Sequence, residues 1–263
     1  MTVTTPAAPP LPAALEQLTR RLRMPYLRTA APEIIATAKA QRWDPAEVIR
    51  VLLAEEAAGR DRATIRMRRR QSGLPAGKTF DAWDPDASPI APHVQQALRT
   101  LEWLDRAENL CVCGPSGVGK SHLVEALGHL AIDHGKTVAW HTLESLTAIV
   151  RRHRPDDTVS KAIARLIRAD LIVIDDIAML PVSADAAEAL FRVVDAAYER
   201  RSLAITSNLH PSGFDELMPK TLAAATVDRL LHHAHVLVCD GVESYRLAQA
   251  TRGKGVTPLT PRA

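Results

Sequence analysis

Long hydrophobic runs are missing from the 263 residues: no apolar stretch approaches the roughly 18 residues that a membrane span requires. A helical membrane protein is thereby excluded. A secretory leader is not recognisable either, because Met1 to Ala14 is rich in Pro, Ala and Thr and has neither a basic n-region nor an apolar h-region. The start reads as a disordered arm over residues 1–10, and a cytoplasmic protein is expected. Cysteine is scarce. Cys111, Cys113 and Cys239 each lie in a short apolar run, and C-x-C with one distant partner is poor spacing for a metal or a redox pair. They are expected to be reduced core residues. No internal repeat is present, and low complexity is confined to the two tails. With 46% hydrophobic and 24% charged residues the composition is that of an ordinary globular protein, and the length allows two domains.

A basic excess is also missing over most of the chain. Residues 1–78 carry 14 basic against 7 acidic side chains, 79–109 carry 2 against 6, and 110–263 carry 17 against 17. The basic excess behind the net charge of +3 is therefore confined to the front, and an attraction to polyanions is expected there.

What is present divides at about residue 76. Leu11 to Arg23 and Pro32 to Arg42 are apolar at helical spacing. Asp44-Pro45-Ala46-Glu47 combines an N-cap, a Pro at N1 and a capping-box acid, which predicts a helix from Pro45 to Gln71, with Gly59 as a weak point. Residues 11–75 are read as a small helical domain. Ala76 to Pro92, with one Gly, three Asp and three Pro, lacks periodicity, so 76–91 is read as a linker. Pro92 to Arg106 is predicted as one amphipathic helix leading into a second domain, 92–250, before a tail over 251–263. From residue 110 short apolar runs alternate with helical segments, the pattern of a parallel sheet covered on both faces. The strand candidates are Leu110 to Cys113, Thr137 to His141, Leu171 to Asp175, Leu203 to Ser207 and Val236 to Cys239.

Between the first strand and a helix stands Gly114-Pro115-Ser116-Gly117-Val118-Gly119-Lys120-Ser121, which fits G-x-x-x-x-G-K-[ST] in the strand-to-helix context that confirms a P-loop. Its backbone N–H groups would cradle phosphates at a helix N-terminus. Lys120 would reach the β- and γ-phosphates of ATP, and Ser121 would ligate Mg²⁺. Leu171-Ile172-Val173-Ile174-Asp175-Asp176 sets two carboxylates at the ligand-binding end of a buried strand, a Walker B in which Asp175 would hold Mg²⁺ and Asp176 would orient or deprotonate water. After the fourth strand, Asn208 leaves an amide where a γ-phosphate or water can be sensed; taken alone, an Asn there is more often a turn residue. Arg229 precedes the last strand and Arg246 follows it.

In this order the P-loop, the Walker B with two acids, Thr206-Ser207-Asn208, the run Asp228-Arg229-Leu230-Leu231-His232-His233-Ala234-His235-Val236 and Glu243-Ser244-Tyr245-Arg246-Leu247 resemble the IstB-type transposition helper ATPases. These are similar to the DnaC-type helicase loaders, and both belong to the AAA+ class. The resemblance covers nearly the whole chain. It implies a five-stranded parallel sheet in the order 5-1-4-3-2, with Cys239 on the strand beside Cys111 and Cys113, and no C-terminal helical lid. It implies that Asn208 is sensor 1 and that Arg229 is an arginine finger completing a neighbour's ATP site, with Arg246 a further nucleotide-binding candidate, either for sensing or for contact in trans. One departure stands out: Asp176 occupies a position where AAA+ ATPases usually have Glu, which places the hydrolysis rate, not binding, in question. His232, His233 and His235 are read as polar surface residues near a helix end.

The front's basic residues gather on the last helix. Arg62, Arg66, Arg68, Arg69 and Arg70, with only Asp61 as a nearby acid, are assigned to DNA phosphates, since family members use this region on DNA. The resulting expectation is an ATPase that assembles into an oligomer on duplex DNA and prepares a target for a cognate transposase. Its rivals are a replicative helicase loader and an ATP-locked scaffold with little turnover. A small-molecule kinase is disfavoured because no acceptor-binding lid is visible.

Overall fold

A computed structural model of the chain describes residues 8–177, 183–216 and 218–239. Its contacts divide it into two units, Met1–Met67 and Arg68–Ala263. The division falls inside a helix, ahead of the boundary expected at residue 75.

The first unit holds α1 (Ala13–Arg21), α2 (Pro25–Gln41) and most of α3 (Pro45–Ser72). Helix α3 begins at the expected Pro45, where Asp44 Oδ1 accepts the Ala46 N–H at 2.8 Å. Helix α2 begins seven residues earlier than the apolar pattern indicated and runs straight through Pro32. Its first turn is secured from α3: the buried Glu56 carboxylate accepts the N–H groups of Tyr26 at 3.0 Å and Leu27 at 2.9 Å and pairs with Arg60 at 2.8 Å. Burial works against that charge, but the Leu27 N–H, Arg60 and the Tyr26 N–H outweigh it and hold the Glu56 pKa below its ordinary value. Gly59 is a contact point rather than a weak point. A Cβ there would stand 2.1 Å from Tyr26 Cγ.

In the second unit, β1 (Asn109–Cys113), β2 (Val138–Thr142), β3 (Leu171–Ile177), β4 (Ser202–Ser207) and β5 (Ala234–Val238) form one parallel sheet in the order β2-β3-β4-β1-β5. This is the order the resemblance implied. Strands β1, β3 and β4 are buried almost throughout because helices cover both faces. Helix α6 (Lys120–Asp133) packs one face with Leu123, Val124, Leu127 and Ile132, all fully buried; each such side chain contributes about 1.5–3 kcal/mol. On the other face, α7 (Leu143–His153), α8 (Val159–Leu166), α9 (Ala184–Ala197) and α10 (Lys220–Leu231) enclose Cys111, Cys113, Ile172, Ile174 and Ile205 in one cluster.

Two expectations are corrected. Strand β5 ends at Val238, so Cys239 follows it instead of lying on it, with its N–H donating to the Cys113 carbonyl at 2.8 Å. None of the three cysteines forms a disulfide, and all three are buried. The single helix expected over 92–106 is two, α4 (Pro92–Arg99) and α5 (Glu102–Asp105), separated where Leu101 turns left-handed at φ 60°. The break lets buried Trp103 donate its indole N–H to the Leu98 carbonyl at 3.1 Å.

The stretch read as a linker is strapped along α6. Glu125, 1% exposed, accepts the N–H groups of Gly77 at 3.1 Å and Lys78 at 2.7 Å. His129 meets the Pro75 carbonyl at 2.9 Å and His122 the Thr79 carbonyl at 3.0 Å. Among the described residues no helix is long and apolar enough to cross a membrane.

Candidate functional site

The P-loop lies between the end of β1 and the start of α6, at the edge of the sheet where the strands' carboxyl ends emerge. Its backbone geometry demands glycine at both ends. Gly114 has φ 144°, and a Cβ on it would come within 2.6 Å of the Cys239 carbonyl oxygen. Gly119 has φ 94° and caps α6, with a Trp83 ring edge 3.4 Å from where its Cβ would stand. Trp83 is itself anchored by an indole N–H donated to Gln95 Oε1 at 2.8 Å and by an edge contact with His122. The strap therefore ends on the P-loop, and Trp83, Asp84, Ala87 and Ser88 line a cleft with Val118, Gly119 and His122.

Lys120, 6% exposed, donates to the carbonyls of Gly114 and Pro115, each at 2.8 Å, and to Asn208 Oδ1 at 2.9 Å. Burial lowers its pKa, against the pull of Asp176, Cys239, Asp175 and Cys113. The predicted P-loop lysine and the predicted sensor thus touch directly. Ser116 is exposed and Ser121 half-buried in the first turn of α6.

Asp175 and Asp176 owe their different settings to a β-bulge. Ile174 pairs with Ile205 and Ile177 with Ser207, so β3 uses three steps where β4 uses two. The extra residue carries Asp176 to a left-handed φ of 57° and out to solvent, while Asp175 stays buried. Thr206 braces both: its hydroxyl accepts the Asp176 N–H at 2.9 Å and donates to Asp175 Oδ1 at 2.5 Å. Left-handed backbone is several-fold more accessible to Asp than to most side chains, so the short acid suits this bulge. Neither the bulge nor Thr206 was foreseen. The available signal was a hydroxyl in Thr206-Ser207-Asn208, opposite two acids on the neighbouring strand.

Arg229 lies apart from this group. Its guanidinium pairs with Asp195 at 2.9 Å, stands 5.6 Å from the Phe191 ring centroid and donates to the Ala225 carbonyl at 3.2 Å. Every one of these partners belongs to α9 or α10. Beside it Glu199 approaches His232 at 3.8 Å and His233 at 3.6 Å, all three exposed, and His232 Nδ1 meets the Tyr198 hydroxyl at 2.7 Å. Asn109 steadies this corner, donating to the Leu230 carbonyl and accepting the Leu203 N–H, both at 2.9 Å. Arg246 lies outside the described residues.

The arginines assigned to DNA are less free than the sequence reading held. Arg62 pairs with Glu55 at 2.8 Å and Arg69 with Asp133 at 2.6 Å, so Asp61 is not the only acid in reach. Among the described residues Arg66, Arg68 and Arg70 form no ion pair.

A P-loop after β1, two acids on β3 and an amide at the end of β4, the strand between them, define a nucleoside triphosphate site, and the family comparison specifies it further. The family model of the IstB-like ATP binding protein matches residues 17–253. The chain belongs to that family. A relative from Pseudomonas aeruginosa, named as an insertion sequence IS21 putative ATP-binding protein, is 32% identical over 252 residues, covering 94% of this chain and 95% of the relative. An IS21-like putative ATP-binding protein from Bacteroides fragilis is 32% identical over 235 residues, covering 89% of each. Among solved structures, AMPPCP-bound DnaA from Aquifex aeolicus superposes with a TM-score of 0.52 at 18% identity over 69% of this chain. This chain spans 56% of that protein's length, and the likeness is one of fold.

Proposed function

We propose that this IstB-like protein hydrolyses ATP, assembles through it on duplex DNA, and thereby prepares a target for the transposase of an insertion sequence. The observation that carries the ATPase reading is the joined set of Lys120, Asn208, Asp175 and Asp176, in which a buried cation meets a sensing amide beside two differently exposed acids. The donors suit the nucleotide and its ion. Glycine backbone at Gly114 and Gly119 leaves a cradle that a Cβ would fill, and the Ser121 hydroxyl and Asp175 carboxylate are the hard oxygen ligands that Mg²⁺ prefers. Lys120 exchanges neutral carbonyl partners for phosphate oxygens and so favours charge on them. Asp176, at the solvent side of the bulge, would orient the attacking water, and Asn208, in contact with Lys120, would sense the γ-phosphate or that water. Arg229, remote from its own P-loop, serves the site of a neighbouring subunit. ATP bound at the junction joins subunits, and the basic face of α3 meets phosphate along the duplex.

The transposition role draws support from the relatives' names, which place them in insertion sequences. ATP turnover, measured with and without duplex DNA, tests the catalytic core. Asp176→Asn is expected to bind ATP as well as the parent chain while turning over on the order of 10²-fold more slowly. Normal turnover in that variant assigns the acid elsewhere; a parent chain that binds ATP and assembles without turnover leaves the scaffold reading instead.

A further inference from the structure

Arg229 stands in the last turn of α10, and its side chain is organised by two residues of α9 that are four positions apart and share one face, Phe191 and Asp195. Asp195 Oδ1 takes the guanidinium at Nε, 2.9 Å away. Phe191 lies below the guanidinium carbon at 5.6 Å, and Nη1 makes a long contact of 3.2 Å with the Ala225 carbonyl of its own helix. Nη2 has no hydrogen-bond partner among the described residues. The guanidinium therefore has an ion pair beside Nε, a ring beneath one face and one bond at Nη1, which leaves Nη2 for a further partner. An arginine neutralises phosphate through parallel N–H groups in a fixed fork, so an ion pair beside Nε and a ring under one face limit the orientations that this fork can take.

Stability does not explain this arrangement. The side chains of Arg229 and Asp195 are 33% and 51% exposed, and an exposed pair contributes at most about 1 kcal/mol. Order is what it supplies: a long side chain with much rotamer entropy is confined before any ligand arrives. The helix end that carries Arg229 is fixed in turn by Asn109 on the Leu230 carbonyl.

We propose that Asp195, with Phe191 beneath the guanidinium, is a positioning residue that presents Arg229 to the nucleotide of a neighbouring subunit. The proposal rests on the reading of Arg229 as a residue acting in trans. Asp195 touches no nucleotide itself. It keeps the arginine from sampling orientations in which the Nη groups miss the phosphate.

Steady-state ATP turnover of the full chain on duplex DNA, across a range of protein concentrations, tests this with Asp195→Ala, Asp195→Asn, Arg229→Ala and the double variant. Asp195→Ala is expected to keep its melting temperature and its KM for ATP, since its own P-loop is intact. Its kcat should fall by roughly tenfold to a hundredfold, the scale of a misplaced catalytic group. Asp195→Asn, which keeps the size of the side chain but not the charge that pairs with Arg229, should recover little of the loss. The double variant should be no slower than Arg229→Ala alone, because a positioning residue has nothing left to position. Mixing Asp195→Ala with Lys120→Ala subunits should restore turnover, as an intact P-loop then meets an intact arginine. Full activity in Arg229→Ala removes the trans reading and this proposal with it. An impaired Arg229→Ala beside an unimpaired or faster Asp195→Ala, or additive losses in the double variant, overturns the positioning role alone.

Discussion

Lys120 and the arginines near the end of α3 carry the same charge in opposite settings. Lys120 is buried, and its ammonium meets three neutral oxygens presented by two backbone carbonyls and one amide. Arg62 and Arg69 are about half exposed and meet carboxylates, Glu55 and Asp133. A buried cation held by neutral dipoles keeps its full charge for an incoming anion. An exposed cation already paired with a carboxylate has spent part of it, and the pair is screened by salt. The first arrangement concentrates charge at one point and the second distributes it over a surface, which is the division of labour expected between chemistry on a phosphoryl group and adhesion to a polyanion.

The comparison breaks most decisively at Lys120. Lys120→Ala is expected to abolish turnover, by at least about 10²-fold, and to weaken ATP binding sharply, because among the described residues of the site no other Lys or Arg stands at that point. Binding measured by calorimetry and turnover by phosphate release check both halves. Retention of either would mean that the carbonyl-held ammonium is structural and that the nucleotide lies elsewhere.

The acids opposite Lys120 give a smaller effect. Thr206→Val keeps the shape of the side chain while removing the hydroxyl that serves Asp175 and the Asp176 N–H. Leaving those groups without their partner should cost about 1–3 kcal/mol of stability, read as a lower urea midpoint. The Mg²⁺ concentration for half-maximal turnover should also rise. A variant with unchanged stability and Mg²⁺ dependence would show that the bulge is set by the strand backbone and not by Thr206.

How far these features can be read in a sequence follows from how locally they are encoded. Gly114 to Ser121 carries its own backbone geometry in its glycines, so its position and the chemistry of Lys120 are legible without a structure. Asp175 is legible as the polar end of an apolar strand. The different exposure of Asp176 is not, because it depends on one extra residue in the pairing of β3 with β4, and pairing is a relation between distant segments. The strap along α6 was read as a linker for the same reason: its contacts are backbone groups meeting His122, Glu125 and His129 on another element, and backbone leaves no periodic trace. An acid in the apolar run of α6 was the available signal. The arginines show the limit of counting neighbours, since Asp133 pairs with Arg69 from 64 residues away.

The smallest effect separates the arginines from one another. Each phosphate neutralised adds about 0.9 to the magnitude of the slope of log K against log salt on duplex DNA. Arg66, Arg68 and Arg70, which form no ion pair among the described residues, should contribute close to that each, so replacing all three with Ala should flatten the slope by up to about 2.7. Arg62 and Arg69 must first give up Glu55 and Asp133, and each released carboxylate takes up a cation from solution that offsets part of the counterion release. Replacing these two should therefore flatten the slope by clearly less than the roughly 1.8 due to two unpaired cations, and basal turnover should survive in both variants. Little sequence preference is expected, because guanidinium groups on phosphates fix position without reading bases. Equal effects per arginine would mean that the two ion pairs dissolve before DNA is met. An unchanged slope in the triple variant would move the DNA contact off α3 altogether and leave its arginines as a solvated face.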